Sequence, residues 1–115
     1  MADDADRLQA YENEHGDIRA RLTLMATSSG GRRGPIASGY RSCWDVSCAG
    51  SQLLLADAPL FIEDGGWVEP GESAIVRLHP LFRENWTGIG PGSILGMFEG
   101  TRRVDVAAIL DVAHR

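Results

Sequence analysis

From Ile18 the chain alternates with a period of two: Ile18, Ala20, Leu22, Leu24 and Ala26 fall on one side, and Arg19, Arg21, Thr23 and Met25 on the other. Successive side chains of a strand point to opposite faces, so this pattern commits the segment to a half-buried sheet. Thr27-Ser28-Ser29-Gly30-Gly31 ends it. After a Gly/Pro-rich loop, a second strand is expected from about Tyr40 to Cys48, carried by Tyr40, Trp44 and Val46. Leu53-Leu54-Leu55 is apolar without pattern, and Asp57, Pro59 and Glu63-Asp64-Gly65-Gly66 divide the middle of the chain into short pieces. Pro70-Gly71 signals a type II turn, because proline presets the first central dihedral and glycine accepts the positive second one. Ala74, Val76 and Leu78 then alternate with Ile75, Arg77 and His79. Trp86 to Gly92 reads as a loop, Ile94 to Glu99 as a strand, and Gly100-Thr101 as a hairpin tip. In the last segment Val104, Val106, Ala108, Leu110 and Val112 share one face, opposite Arg103, Asp105 and Asp111. Ala107 to Leu110 also suits a helix, but the alternation decides for strand. The expected fold is all-β: a single six-stranded antiparallel, Greek-key-like barrel.

A chain of 115 residues is one domain, able to bury a modest core without disulfides or metals. Its net charge of -5 resides in residues 1–17, where Asp3, Asp4, Asp6, Glu12, Glu14 and Asp17 outnumber Arg7. That segment has little to bury, with Leu8 and Tyr11 as its larger apolar groups, so it is expected to be an acidic flexible tail. A frayed helix over Asp4 to Glu14 is the alternative. Residues 18–115 form the barrel and are neutral overall, which leaves room for a locally basic face. All eleven basic residues are arginine. Cys43 and Cys48 lie five apart in an expected strand and point to opposite faces, so reduced thiols acting as small packing residues are expected in place of a disulfide. With no apolar run of membrane-spanning length and an acidic start, the expectation is a soluble, cytoplasmic protein.

Several chemistries lack their residues. A phosphate-cradling loop of the G-x-x-x-x-G-K-[ST] type needs a lysine, and the chain has none, so no nucleotide site is expected. Gly30-Gly31 and Gly88-Ile89-Gly90-Pro91-Gly92 are read as turns in preference to anion nests. His15, His79 and His114 are scattered and do not pair with the thiols as structural zinc requires, so neither metal nor cofactor is expected. Cys43, His79 and Asp45 could be written as a nucleophilic constellation, but nothing in their spacing joins them. No enzymatic activity is expected. The remaining candidates are the arginines: Arg32, Arg33 and Arg41 flank the first loop, and Arg102 and Arg103 the last hairpin. Guanidinium groups offer planar bidentate donors to phosphate; ordinary solvation and pairing with the tail carboxylates are the competing roles. Trp44, Trp67 and Trp86 are read as core or loop anchors.

Four motifs, in order, carry a resemblance covering about residues 18 to 113. Gly30-Gly31-Arg32-Arg33-Gly34-Pro35-Ile36-Ala37-Ser38-Gly39-Tyr40-Arg41 is similar to G-G-R-x-x-P-x-x-x-G-Y-R-P-Q-F, and Glu69-Pro70-Gly71-Glu72 to M-P-G-D. Leu78-His79-Pro80-Leu81 is similar to L-I-H-P-I, and Glu99-Gly100-Thr101-Arg102-Arg103-Val104 to E-G-G-R-T-V. Together they resemble the C-terminal, third β-barrel domain of elongation factor Tu. The resemblance implies a β-barrel without the family's GTPase chemistry. It also implies a contact with the backbone of tRNA at Arg32, Glu99 and Gly100. Ser42-Cys43-Trp44 stands where the family has P-Q-F, and Ser47 to Gln52 has no counterpart of its T-T-D-V-T-G. The expected function is a non-catalytic binding module for tRNA or RNA backbone or for a protein of the translation apparatus, acting through Arg32, Arg33, Arg41, Glu99, Gly100, Arg102 and Arg103. The alternative is a protein-interaction or regulatory module of a mimicry or immunity type that binds no RNA.

Overall fold

Six strands pair into a closed barrel, a sheet that has no edge. In the computed structural model, which describes residues 4–47 and 52–114, helix α1 (Asp4–His15) leads directly into β1 (Gly16–Leu24). β2 (Ile36–Ala37), β3 (Arg41–Asp45), β4 (Leu55–Ile62), β5 (Trp67–Val68), β6 (Ser73–Leu78), β7 (Ile94–Glu99) and β8 (Arg102–His114) complete the chain. Six of them close an antiparallel barrel in the order β1-β6-β4-β3-β7-β8, as expected, while β2 and β5 form a separate two-stranded sheet. Of the three unpatterned leucines, Leu55 is the first residue of β4, and Leu53 and Leu54 precede it. The second strand stops at Asp45, and Cys48 lies outside the described residues.

A barrel of six strands has a narrow interior, because diameter grows with strand number. Its filling reflects this. Ala20, Ala58 and Ala107 are fully buried small residues, and Trp44 is the largest of the fully buried side chains. The indole Nε1 of Trp44 donates to Ser42 Oγ at 2.7 Å, and Ser42 donates to the Ala58 carbonyl, so the one polar atom of the large ring is satisfied inside the barrel. The departure of Ser42-Cys43-Trp44 from the resembled motif is therefore a core arrangement. Ile18, Ala20, Leu22 and Leu24 point inward as anticipated, as do Val76 and Leu78. Ile36 and Val68 are buried at the end where Leu24 bonds to Gly71 and Glu72, and Trp86 is buried near Ile18. Trp67 departs from the expectation: it is 68% exposed, since its neighbour Val68 takes the inward position of β5.

β8 is where alternation misleads. It pairs with β7 as Phe98↔Arg103 and then Met97↔Asp105, and with β1 as Ala20↔Ile109 and then Arg19↔Asp111. Val104 and Leu110 are thus extra residues, and each such bulge shifts the phase by one. Val104 and Val112 keep the expected side, whereas Val106, Ala108 and Leu110 turn outward and Ala107, Ile109 and the acidic Asp105 turn inward.

The first residues also differ from the expected flexible tail over 1–17. Residues 4–15 are helical, the alternative reading, and Gly16 and Asp17 already belong to β1. Glu12 anchors the helix at only 5% exposure: Oε1 accepts from Arg77 Nη1 at 2.8 Å and Oε2 from His79 Nε2 at 2.8 Å. The His79 ring is stacked on Tyr11 at 4.6 Å and meets Phe61 at 4.6 Å on the barrel wall. Burial, with the nearby Glu12 charge, raises the Asp17 carboxyl above its usual range. The tail carboxylate Glu12 pairs with Arg77, which belongs to neither the first loop nor the last hairpin. Chemical denaturation of Glu12→Ala is expected to show a loss of about 1–3 kcal/mol, because a guanidinium and a buried imidazole lose their acceptor. An unchanged midpoint would mean that the helix contributes nothing to the barrel.

Pro70-Gly71 forms the anticipated turn: Glu72 N donates to the Glu69 carbonyl at 3.0 Å, and Gly71 has φ +90°. A β-branched residue in that left-handed position is strained, so Gly71→Val is expected to cost about 1–3 kcal/mol by the same measurement.

Candidate nucleic-acid interface

The first loop is folded back over the barrel end by its own backbone. Thr27–Ser29 make one 3-10 turn, and the Gly31 amide donates to the Ala26 carbonyl at 3.0 Å. A Cβ at Gly31 would stand 2.1 Å from the Met25 carbonyl oxygen, which explains the second glycine of the Gly-Gly-Arg run. Thr27 Oγ1 donates to the Arg32 carbonyl at 2.8 Å, and Met25 N donates to the Val104 carbonyl at 3.2 Å. Arg32 is thereby brought beside the start of β8, a strand far from it in sequence.

There its Nε lies 3.3 Å from Glu99 Oε2, and its guanidinium carbon stands 4.9 Å from the centroid of the Tyr40 ring. Tyr40 OH donates to the same Glu99 oxygen. Burial, the hydrogen bond to Glu99 and its negative charge push the Tyr40 phenol up to about 12. Gly100-Thr101 is the hairpin tip between Glu99 and its partner Arg102. Arg103 is paired with Phe98, and its aliphatic stem passes over Gly96, where an added Cβ would meet Arg103 Cδ at 3.0 Å. Arg41 opens β3 opposite Pro59, and the neighbouring pair Cys43↔Phe98 sets it toward the same hairpin.

The residues singled out in the sequence therefore collect around one hairpin, but in two roles. Arg32 and Glu99 are mostly buried and engaged with one another and with Tyr40. Arg33, Arg41, Arg102 and Arg103 are exposed, and none makes an ion pair with a described carboxylate. Arg19 and Arg77 are occupied elsewhere, on Glu63 at 2.9 and 3.6 Å. The other constellation is not assembled. Asp45 accepts from the amides of Ser47 and Leu54, and His79 is held by Glu12; burial and the adjacent Asp57 push the Cys43 thiol up. Among the described residues no three His, Cys, Asp or Glu side chains come together as a metal site, and no helix is long and apolar enough to cross a membrane.

Two participants carry no mark of this role in the sequence. Tyr40 reads there as a strand residue, and Asp105 as part of the outer face. The Val104 bulge turns Asp105 inward instead, opposite the fully buried Met97 and next to Leu24. Asp105 has no exposure, and neither carboxylate oxygen has a hydrogen-bond partner. Burial, reinforced by the Glu99 charge and opposed by Arg32, pushes its carboxyl up to about 8. No residue type signals this, since an aspartate in an alternating run reads as a solvated face.

A pKa raised in the folded state gives stability that is complete below the unfolded value, near 3.8, and is lost as pH rises through about 8. Between these limits unfolding releases a proton. The stability is expected to fall with a slope of up to roughly 1.4 kcal/mol per pH unit from this group. Denaturant titrations across that window are expected to give a flatter dependence for Asp105→Asn than for the native chain; parallel curves would place the proton elsewhere.

Neither a scan against protein-family models nor a search of curated proteins returns a match to this chain.

Proposed function

We propose that the protein is a non-catalytic binding module whose arginine face takes the phosphate backbone of structured RNA. The observation that carries this reading is the gathering of Arg33, Arg41, Arg102 and Arg103, exposed and without ion pairs to the described carboxylates, around the Gly100-Thr101 hairpin. Guanidinium groups left unpaired on a neutral barrel create a local positive field that the overall charge conceals. Arg32 plays a different part, because it is held by Glu99 and laid on Tyr40 and so fixes the loop that presents Arg33. The resemblance of these segments to the C-terminal domain of elongation factor Tu supports the same choice of ligand, as does the retention of Arg32, Glu99 and Gly100.

A second reading, a protein-interaction or regulatory module, is favoured by a separate observation. Ile94 is 62% exposed and Leu110 39% exposed on the outer side of β7 and β8, where Val106 and Ala108 also turn outward. Apolar area on a barrel wall is what a protein partner would cover.

The two readings differ in salt dependence. If phosphates are neutralised, affinity for a structured RNA is expected to fall steeply as salt rises, and Arg33→Ala, Arg41→Ala, Arg102→Ala and Arg103→Ala each to flatten the log-log slope by roughly one unit. Filter binding across a salt series measures this. No RNA affinity at low salt would eliminate the RNA reading and leave the protein-binding one.

A further inference from the structure

Beneath the arginine face lies a pair of unmet requirements. Both oxygens of Asp105 are buried without a partner, and so are Nε and Nη1 of Arg32 as hydrogen-bond donors. The contact of Arg32 with a carboxylate, 3.3 Å from Nε to Glu99 Oε2, is not aligned as a hydrogen bond, and Glu99 spends that same oxygen on Tyr40 OH. Arg32 thus has a loose acceptor on the surface side and keeps two unsatisfied donors out of solvent, near the place where the Val104 bulge has put an acid. The backbone carrying it is fixed beside β8 by the bonds of Met25 to Val104 and of Thr27 to Arg32. Arg32 is near enough for its charge to act on Asp105, yet the two side chains are not hydrogen-bonded to each other.

We propose that Arg32 is a two-position side chain controlled by the charge of Asp105: it rests on Glu99 and Tyr40 while Asp105 is protonated, and turns inward to Asp105 when that proton is lost. In the neutral state Asp105 offers little to a cation, and its buried hydroxyl form avoids the cost of an isolated interior charge. When the proton leaves to solvent, the carboxylate becomes an acceptor for a charge-assisted hydrogen bond from the guanidinium of Arg32, whose buried Nε and Nη1 otherwise have no acceptor. Glu99 is then released with its full charge beside the hairpin. The charged and titratable groups that act on Asp105 are few: Glu99 from β7, Arg32 from the first loop and, through Glu99, Tyr40 before β3. The facing side chains of β1 and β7, Leu24 and Met97, are apolar. A raised Asp105 carboxyl, up to about 8, sets the exchange in neutral to mildly alkaline solution.

The test is an NMR titration of the full chain that follows the carboxyl carbons of Asp105 and Glu99 and the Nε–Hε signal of Arg32. All three are expected to move with one common midpoint, well above the ordinary carboxylate range. In Asp105→Asn the Arg32 and Glu99 signals are expected to stay still over that pH interval, and in Arg32→Gln the Asp105 midpoint is expected to rise by a pH unit or more. The native chain alone suffices should either variant fail to fold. An Asp105 midpoint near 4, or an Arg32 signal that ignores the Asp105 titration, would overturn the proposal. So would global unfolding at the same midpoint, because ionisation would then break the barrel instead of re-pairing Arg32.

Discussion

The closing strand governs this molecule. β8 must satisfy two ladders at once, one with β7 and one with β1, and it does so only by inserting Val104 into the first and Leu110 into the second. Bulges bend and twist a strand, which is what a tight six-stranded closure demands. The same two insertions decide which side chains face the lumen. Ala107 and Ile109 go in and join the core, while Leu110 goes out. Asp105 goes in as well, at a cost in solvation that a regular strand would have avoided.

That buried acid and the arginine face are two sides of one arrangement. The loop after β1 is bent by Gly31 against the Met25 and Ala26 carbonyls, so that Arg32 returns to the start of β8 and meets Glu99. Because Arg32 occupies Glu99, the exposed arginines around it are left without that acidic partner. A face that binds phosphate needs such unpaired guanidinium groups, since exposed ion pairs contribute little and mask the charge. The polar cluster of Arg32, Tyr40 and Glu99 is thus better described as the mount of the face than as its contact surface.

At another part of the wall, the buried carboxylate of Glu12 anchors the acidic N-terminal segment. Glu12 joins Arg77 and His79, and aromatic rings from both sides close over the imidazole. Most of the helix remains exposed, so its attachment depends on that anchor more than on an apolar stripe. The Glu12 charge is consequently spent on Arg77 and His79, neither of which belongs to the hairpin cluster.

Local pattern in the chain is enough to dictate the period-two faces of β1 and β6, the Pro70-Gly71 turn, the Gly100-Thr101 hairpin and hence a six-stranded barrel. Each of these is a local requirement: alternate burial, a positive dihedral at Gly71, a two-residue tip. The candidate site is legible as residue types, because Arg32, Arg33, Arg41, Glu99, Gly100, Arg102 and Arg103 flank two turns that a barrel brings together. Their division into mount and exposed face is not, since it depends on Arg32 and Tyr40 sharing one Glu99 oxygen across the fold. The inward turn of Asp105 and the anchoring of Glu12 arise only once the chain is folded. A bulge answers to two neighbouring strands at once, and the buried Glu12 carboxylate to partners sixty-five and sixty-seven residues away; neither leaves a periodic trace in the chain itself.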